Sequence, residues 1–392
     1  METMSPSHLT GTYRDRKRYA WLLSLLVPTL VAAGPMLYYA FHDPRVLWVP
    51  VLLSYLGLPL LDLVSGQDMS NPPEEMVPLL EADRYYRLVS YALVPLLWCG
   101  FIFGIWFFTR HDLPLHAKLA GVISTGMIGG YGINLGHELG HKRPEIERRL
   151  AKLILAMTGY GHFYVEHNRG HHRHVSTPED CASSRMGESI YRFMLREMPG
   201  GFRRAWRLEK ERLAREGKSP WTLDNDVLHP LLLSIAFFSA VVAWLGVQAL
   251  PFLLLTAFWS NFQLTSANYI EHYGLLRRKT SGGQYEPTQP RHSWNSNQLF
   301  SNWALFHLQR HSDHHAHPLR RYQSLRHFDD VPQLPNGYFG MFIIAYIPPL
   351  WFRMMDKRLL DAVGHDPDRV NFDPVRRTAL MRRYGLAEPA HQ

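Results

Sequence analysis

The sequence predicts an all-α integral-membrane fold, with six transmembrane helices beneath a cytoplasmic helical cap. Three observations predict it. Six apolar runs approach the roughly 20 residues that a helix needs to cross hydrocarbon. Short basic clusters lie beside those runs, as they do in proteins oriented across a bilayer. The long polar stretches between the runs carry most of the His, at spacings that suit helices. The 392 residues have an apolar share of 46%, ordinary for a soluble protein. The distribution along the chain therefore carries the argument, and the average does not.

Taken in order, the runs cover about residues 19–41, 46–64, 88–109, 115–136, 228–248 and 250–270. The connections 42–45 and 110–114 are short, so the first and second runs, and the third and fourth, form hairpins. "RDRKR" (14–18) precedes the first run, and the positive-inside rule places it in the cytoplasm. An even number of spans returns the C-terminus to the same side. The polar regions 65–87, 137–227 and 271–392 then share the cytoplasmic face. Asp62, Pro50 and Pro59 make the second run the weakest. Segment 334–351 is apolar but broken by Gly and Pro, which suits an interfacial position better than a crossing. No repeat, linker or cleavable signal peptide is evident, and residues 1–392 read as one membrane-embedded domain.

Composition excludes several functions. Two Cys, Cys99 and Cys181, cannot build a disulfide framework or a multi-Cys zinc or iron–sulfur site. Any electrons therefore come from outside this chain. The net charge of +8 is scattered in clusters, with no basic stripe on a nucleic-acid-binding motif, so nucleic acid is not an expected partner.

Of 22 His, seven lie within residues 137–174 and five within 307–317. They form "HELGH" (His137, His141), "HNRGHH" (His167, His171, His172) and "HSDHH" (His311, His314, His315). In helices, each box places imidazoles at i, i+3 or i, i+4 on one face. "NYIEHYG" adds His272 at the cytoplasmic end of the sixth run, level with His137 and His141 at the end of the fourth. "HELGH" alone is the zinc-protease signature, but one catalytic zinc takes three protein ligands and would leave the other boxes idle. Nine His suit two metals of four or five ligands each, and imidazole alone does not name the element. A metal transporter would need ionisable residues within the spans, and these are nearly free of them.

"NLGHELGHK" (134–142), "EHNRGHHRHVSTPED" (166–180), "LTSANYIEHYGLLR" (264–277) and "LQRHSDHHAHP" (308–318) closely resemble the membrane-bound alkane 1-monooxygenases. "NPPEE" (71–75) and "SRMGESIYRF" (184–193) belong to the same likeness, which extends over nearly the whole chain. Three His boxes alone would admit the wider membrane desaturases and hydroxylases; "NYIEHYG" and "LQRHSDHHA" narrow the resemblance.

The resemblance implies a di-iron enzyme of the bacterial cytoplasmic (inner) membrane, with two non-haem iron ions. It would convert a medium-chain n-alkane to a primary alcohol with dioxygen and two electrons from rubredoxin. Rubredoxin, separate or continuing this chain, would be reloaded by rubredoxin reductase. Carried over by position, the ligands are His137, His141, His167, His171, His172, His272, His311, His314 and His315. Glu138, Glu166 and Glu271 each adjoin a ligand, and any of them is open as a carboxylate ligand or supporting group.

The substrate partitions into lipid, gaining about 0.8 kcal/mol per buried methylene, so it is expected to enter from between the spans. Ser54, Tyr55 and Leu58 on one face of the second run, with Trp259 and Phe262 on the sixth, are candidate channel residues. Gly126, Gly129, Gly130 and Gly132 suit close helix packing or a channel. Lys142, Arg143, Arg203, Arg204, Arg277–Lys279, Arg320 and Arg321 surround the boxes, where they suit an acidic electron donor or anionic lipid.

Overall fold

The computed structural model describes residues 14–386. Helices are the regular elements among these residues, joined by irregular segments with isolated β-bridges and no extended strand. Four helices are long and apolar enough to cross a membrane: α1 (Ala20–Phe41), α2 (Pro44–Ser65), α3 (Arg84–Arg110) and α8 (Leu228–Leu245). Between α3 and α8 lie α4 (Leu115–Gly140), α5 (Glu145–Ala156), α6 (163–174) and α7 (Ile190–Arg215). After them come α9 (Leu250–Glu271), α10 (Leu299–Ala304), α11 (His311–Ala316), α12 (Tyr338–Ala345), α13 (Pro348–Ala362) and α14 (Arg377–Tyr384).

The fourth and sixth apolar runs become α4 and α9. Both are long enough to span but carry more Gly, Ser, Thr, Asn and Gln than the other four. Their position explains the composition. They pack against each other inside the bundle, so small and polar side chains face protein rather than lipid. A Cβ on Gly126 would lie 2.8 Å from Trp259, and one on Gly129 would collide with Ser260. The Gly stretch therefore serves close packing, although Gly130 also borders a cavity. By contrast, α8 leaves Leu232, Ile235 and Trp244 exposed, as a lipid-facing helix does.

Local chemistry explains the irregularities. Within α2, residues Leu53–Gly57 form a π turn. Pro59 has no N–H to return to the carbonyl of Tyr55, and the widened turn accommodates that loss. Asp62, unexpected in a span, is buried and accepts from the Phe300 (3.0 Å) and Ser301 (3.1 Å) N–H groups. It thus caps the start of α10 from a distant part of the chain. Segment 334–351 also resolves into shape: α12 and α13 meet at a bend of 119°, a broken or re-entrant pair. Beyond α4 and α9, the polar segments close over one end of the bundle, where the His boxes meet.

Candidate metal centre

Four elements supply the nine His. His137 and His141 end α4, one helical turn apart; His272 follows the last residue of α9. His311, His314 and His315 lie on the short helix α11. In α6, residues Glu166–His171 adopt a π conformation, with the His172 N–H returning to the His167 carbonyl. That turn decides the geometry. In an α-helix, positions i and i+5 point well apart, but a π turn nearly aligns them. His172 accordingly sits over His167, Nε2 to Nε2 at 3.0 Å, while His171 is directed elsewhere.

The imidazoles separate into two groups. His137, His141, His167, His172 and His314 form one; His171, His272, His311 and His315 form the other. Within each group the ligand nitrogens all lie within 4.8 Å of one another. Nε2–Nε2 separations are 2.9 Å for His137–His314, 3.2 Å for His172–His314, 3.1 Å for His272–His311 and 2.9 Å for His315–His311. Metal–nitrogen bonds of about 2.0–2.1 Å place neighbouring ligand nitrogens roughly 3 Å apart, the spacing seen here. The groups adjoin, the His172 and His315 rings being 4.5 Å apart.

Two features test the fit to a metal. The Nε2 atoms of His141 and His171 are buried without a hydrogen-bond partner, a costly state unless an ion takes the lone pair. Two outward nitrogens of the four-His group are anchored: His171 Nδ1 lies 2.9 Å from Asp180 Oδ2, and His272 Nδ1 3.2 Å from the His292 carbonyl. Such contacts fix the ring and turn Nε2 inward. Burial, then neighbouring imidazoles, pulls His167, His172, His311, His314 and His315 well below the ordinary His range, so they remain neutral donors. His171 differs. Burial lowers it, but the Asp180 carboxylate more than offsets this and holds it up.

The three adjoining carboxylates have different surroundings. Glu138 pairs with buried Lys142 at 3.2 Å. Glu166 pairs with Arg204, which also holds Asp180 at 2.7 Å. Glu271 alone approaches a group, its Oε2 lying 3.4 Å from His311 Nε2. Several basic residues around the boxes are likewise engaged: Arg320 with Asp313, and Arg321 with Glu147. Lys142, Arg204, Arg320 and Arg321 are thus internal cations rather than a free docking surface.

An apolar cavity lies between α1, α2, α4, α9 and α12. Ser54 and Leu58 line it; Tyr55, Trp259 and Phe262 do not. Tyr55 instead donates to Gln263 at 2.6 Å, and Phe262 stacks on Tyr346 at 5.4 Å. The lining also includes Asn134, Ala267, Leu308 and Tyr338, which the sequence reading missed. Asp180 was missed as well. It falls nine residues after His171 in "EHNRGHHRHVSTPED", but only folding shows that it faces that ring.

Helices long and apolar enough to cross a membrane, closed at one end by two buried imidazole groups that could each hold a metal ion, define a multi-pass membrane protein with a candidate metal centre. The chain matches the family model for fatty acid desaturases over residues 114–345. It is 50% identical to alkane 1-monooxygenase 1 of Alcanivorax borkumensis over 95% of this chain and 93% of that protein. It is 47% identical to alkane 1-monooxygenase of Ectopseudomonas oleovorans, with 97% and 94% covered. The xylene/toluene monooxygenase hydroxylase component of Pseudomonas putida is 28% identical over 85% of this chain and 87% of its own length. The chain belongs to the alkane 1-monooxygenases within the membrane desaturase and hydroxylase family.

Proposed function

We propose that this enzyme hydroxylates the terminal methyl of medium-chain n-alkanes, using dioxygen and two electrons delivered by rubredoxin. The balance is one alkane, one dioxygen, two electrons and two protons to one primary alcohol and one water. The observation that carries the reading is the apolar cavity: its linings Asn134 and Leu308 each precede a clustered His, His137 and His311, by three residues. An alkane drawn from lipid would thus be held lengthwise between the spans, its methyl end directed at the imidazole groups. The relatives' names, alkane 1-monooxygenases, agree with this substrate.

The nine His would hold two non-haem irons, five imidazoles around one and four around the other. Glu271 is the favoured carboxylate for the four-His group, on its 3.4 Å approach to His311. Bound there, the irons would supply the redox chemistry with dioxygen that an unactivated C–H bond requires. Zinc has no redox chemistry, which favours iron. The protein's own contribution is positional. Asp180 and the His292 carbonyl orient rings, and Leu58, Leu264 and Phe342 shut water out of the cavity.

The remaining proposals concern placement. α4 and α9 would join α1, α2, α3 and α8 as six spans of one domain in the bacterial inner membrane. Both termini and the His-bearing cap would be cytoplasmic, where rubredoxin and its reductase supply electrons.

Metal content per chain, measured on detergent-purified protein, tests the reading. Two irons, with octane converted to 1-octanol when rubredoxin is supplied, are expected. His315→Ala should lose the metal of the four-His group, drop to about one iron and lose turnover while remaining membrane-inserted. Zinc as the main metal, or full turnover by His315→Ala, would refute the assignment.

A further inference from the structure

The bent pair α12–α13 reaches into the bundle and returns. Tyr338, at its start, donates its N–H to Gln309 at 2.9 Å, two residues before His311. Tyr346, at its far end, meets Gln263 at 3.3 Å and Ser266 at 3.2 Å through its hydroxyl. Gln263 precedes His272 by nine residues of helix, so the hairpin descends about 13 Å at the usual helical rise. The chain then climbs again, with Trp351 packed on Tyr269 at 5.1 Å and on Tyr273 at 5.2 Å. At the turn, Ile347 is 50% and Leu350 40% exposed, which is costly against water but suited to acyl chains.

Just above this apolar tip is a groove of about 780 Å³, bordered by Ser189, Phe352, Arg353, Arg376 and Arg383. The three Arg come from α13 and from the C-terminal region around α14. All three are exposed, and among the described residues none of them forms an ion pair, whereas the buried Arg204 and the half-buried Arg320 do. The nearby acids are engaged. Asp356 accepts from Tyr273 at 2.7 Å and Tyr384 at 3.0 Å, and Asp373 pairs with Arg192 at 2.7 Å. Two of the guanidinium groups rest by aromatic rings, Arg376 at 5.9 Å from Phe352 and Arg383 at 5.3 Å from Tyr384. Three unpaired guanidinium groups facing one groove would repel one another, and an anion between them removes that cost. Guanidinium suits phosphate through its planar fork of donors.

We propose that this groove is a binding site for the phosphate of an anionic phospholipid headgroup, whose acyl chains lie along Ile347 and Leu350. The lipid source is favoured over free phosphate because the cations border the same groove as Pro348 and Pro349, beside an exposed apolar tip that acyl chains would cover. Basic pockets at a membrane face take such headgroups. The bound lipid would pin the hairpin whose first arm, through Tyr338, Phe339 and Phe342, lines the apolar cavity. The proposal rests on membrane insertion and is independent of the reaction assigned above.

The test is lipid retention by the full-length protein purified from mixed phosphatidylglycerol and phosphatidylcholine, quantified by mass spectrometry. The native protein should retain phosphatidylglycerol several-fold over its share of the mixture. The combined variant Arg353→Gln, Arg376→Gln, Arg383→Gln should fall to that share, with metal content unchanged. If the combined variant misfolds, each single substitution should give a partial loss. A control with Arg148, Arg203 and Arg215 changed to Gln should keep the enrichment; equal loss there would reduce the effect to general surface charge and overturn the site. Added inorganic phosphate should leave the enrichment in place. Its displacement of the lipid would overturn the headgroup assignment in favour of a free-phosphate site. Unchanged enrichment in the combined variant would overturn both.

Discussion

Asp180 shows how much one buried carboxylate can control. It faces His171 Nδ1 at 2.9 Å, accepts from Ser183 at 2.6 Å and meets Arg204 at 2.7 Å, all out of water. Removing its charge would let the His171 ring rotate and would leave Arg204 with Glu166 alone. Asp180→Asn is therefore expected to weaken metal binding at the four-His group about 10–100-fold, the usual penalty for losing an outer partner of a ligand His. Competition with a chelator of known affinity measures this, and loss should be confined to one metal. Equal loss of both metals would count against the division into two groups. Glu138 and Glu166 adjoin ligands in sequence, yet Lys142 and Arg204 hold them. Adjacency along a helix says little about which way a side chain turns.

At the scale of elements, the contact between α4 and α9 carries the His-bearing ends of both helices. The Cβ of Gly129→Ala would collide with Ser260, and a side chain forced into a packed contact costs about 1–3 kcal/mol. Thermal unfolding in detergent should show the loss, and metal content should fall with it if the helix ends move apart. Helix α7 depends on charge instead. Glu209 is buried and accepts from Arg169 at 2.6 Å, from Arg212 Nε at 3.1 Å and from the Asp226 N–H at 2.9 Å. Burial raises its carboxyl, but the Arg212 contacts, the Asp226 amide and Arg169 bring it below the ordinary 4.5. A depressed folded value means stabilisation that is present above the unfolded value and lost as pH falls through the folded one. Glu209→Gln should thus cost about 1–3 kcal/mol near neutrality. The gap from the native protein should narrow as the pH drops below about 4.5. A constant gap in melting temperature across that range would contradict the assignment.

For the molecule as a whole, the His groups tie together α4, α6, α9 and α11, spread from His137 to His315. Any metal bound to such a site stabilises the folded state by an amount that grows with the logarithm of its free concentration over its dissociation constant. Stripping it with a chelator should lower the unfolding midpoint and quicken proteolysis of the polar cap, with less effect on the apolar helices. Restoring iron should reverse both. If melting were insensitive to metal, the imidazole groups would have to be pre-formed without help, against the orphaned Nε2 atoms of His141 and His171.

Much of this was legible in the sequence because it is local. A helix repeats every 3.6 residues, so "HELGH" and "HSDHH" announce faces with two imidazoles, and apolar runs announce spans. The family motifs extend that reading to all nine His. α4 and α9 were legible as long helices, but their Gly, Ser, Asn and Gln content made sense only once they lay inside the bundle, facing protein. Which imidazoles share a group depended on the π turn that brings His172 over His167 and directs His171 away. A helix-period reading cannot foresee that widening. The cavity lining, the capping of α10 by Asp62 and the neutralisation of the cap's Arg residues join segments far apart in the chain. Sequence determines what each helix offers on its faces; only tertiary packing decides which face meets which, because those contacts depend on the whole arrangement.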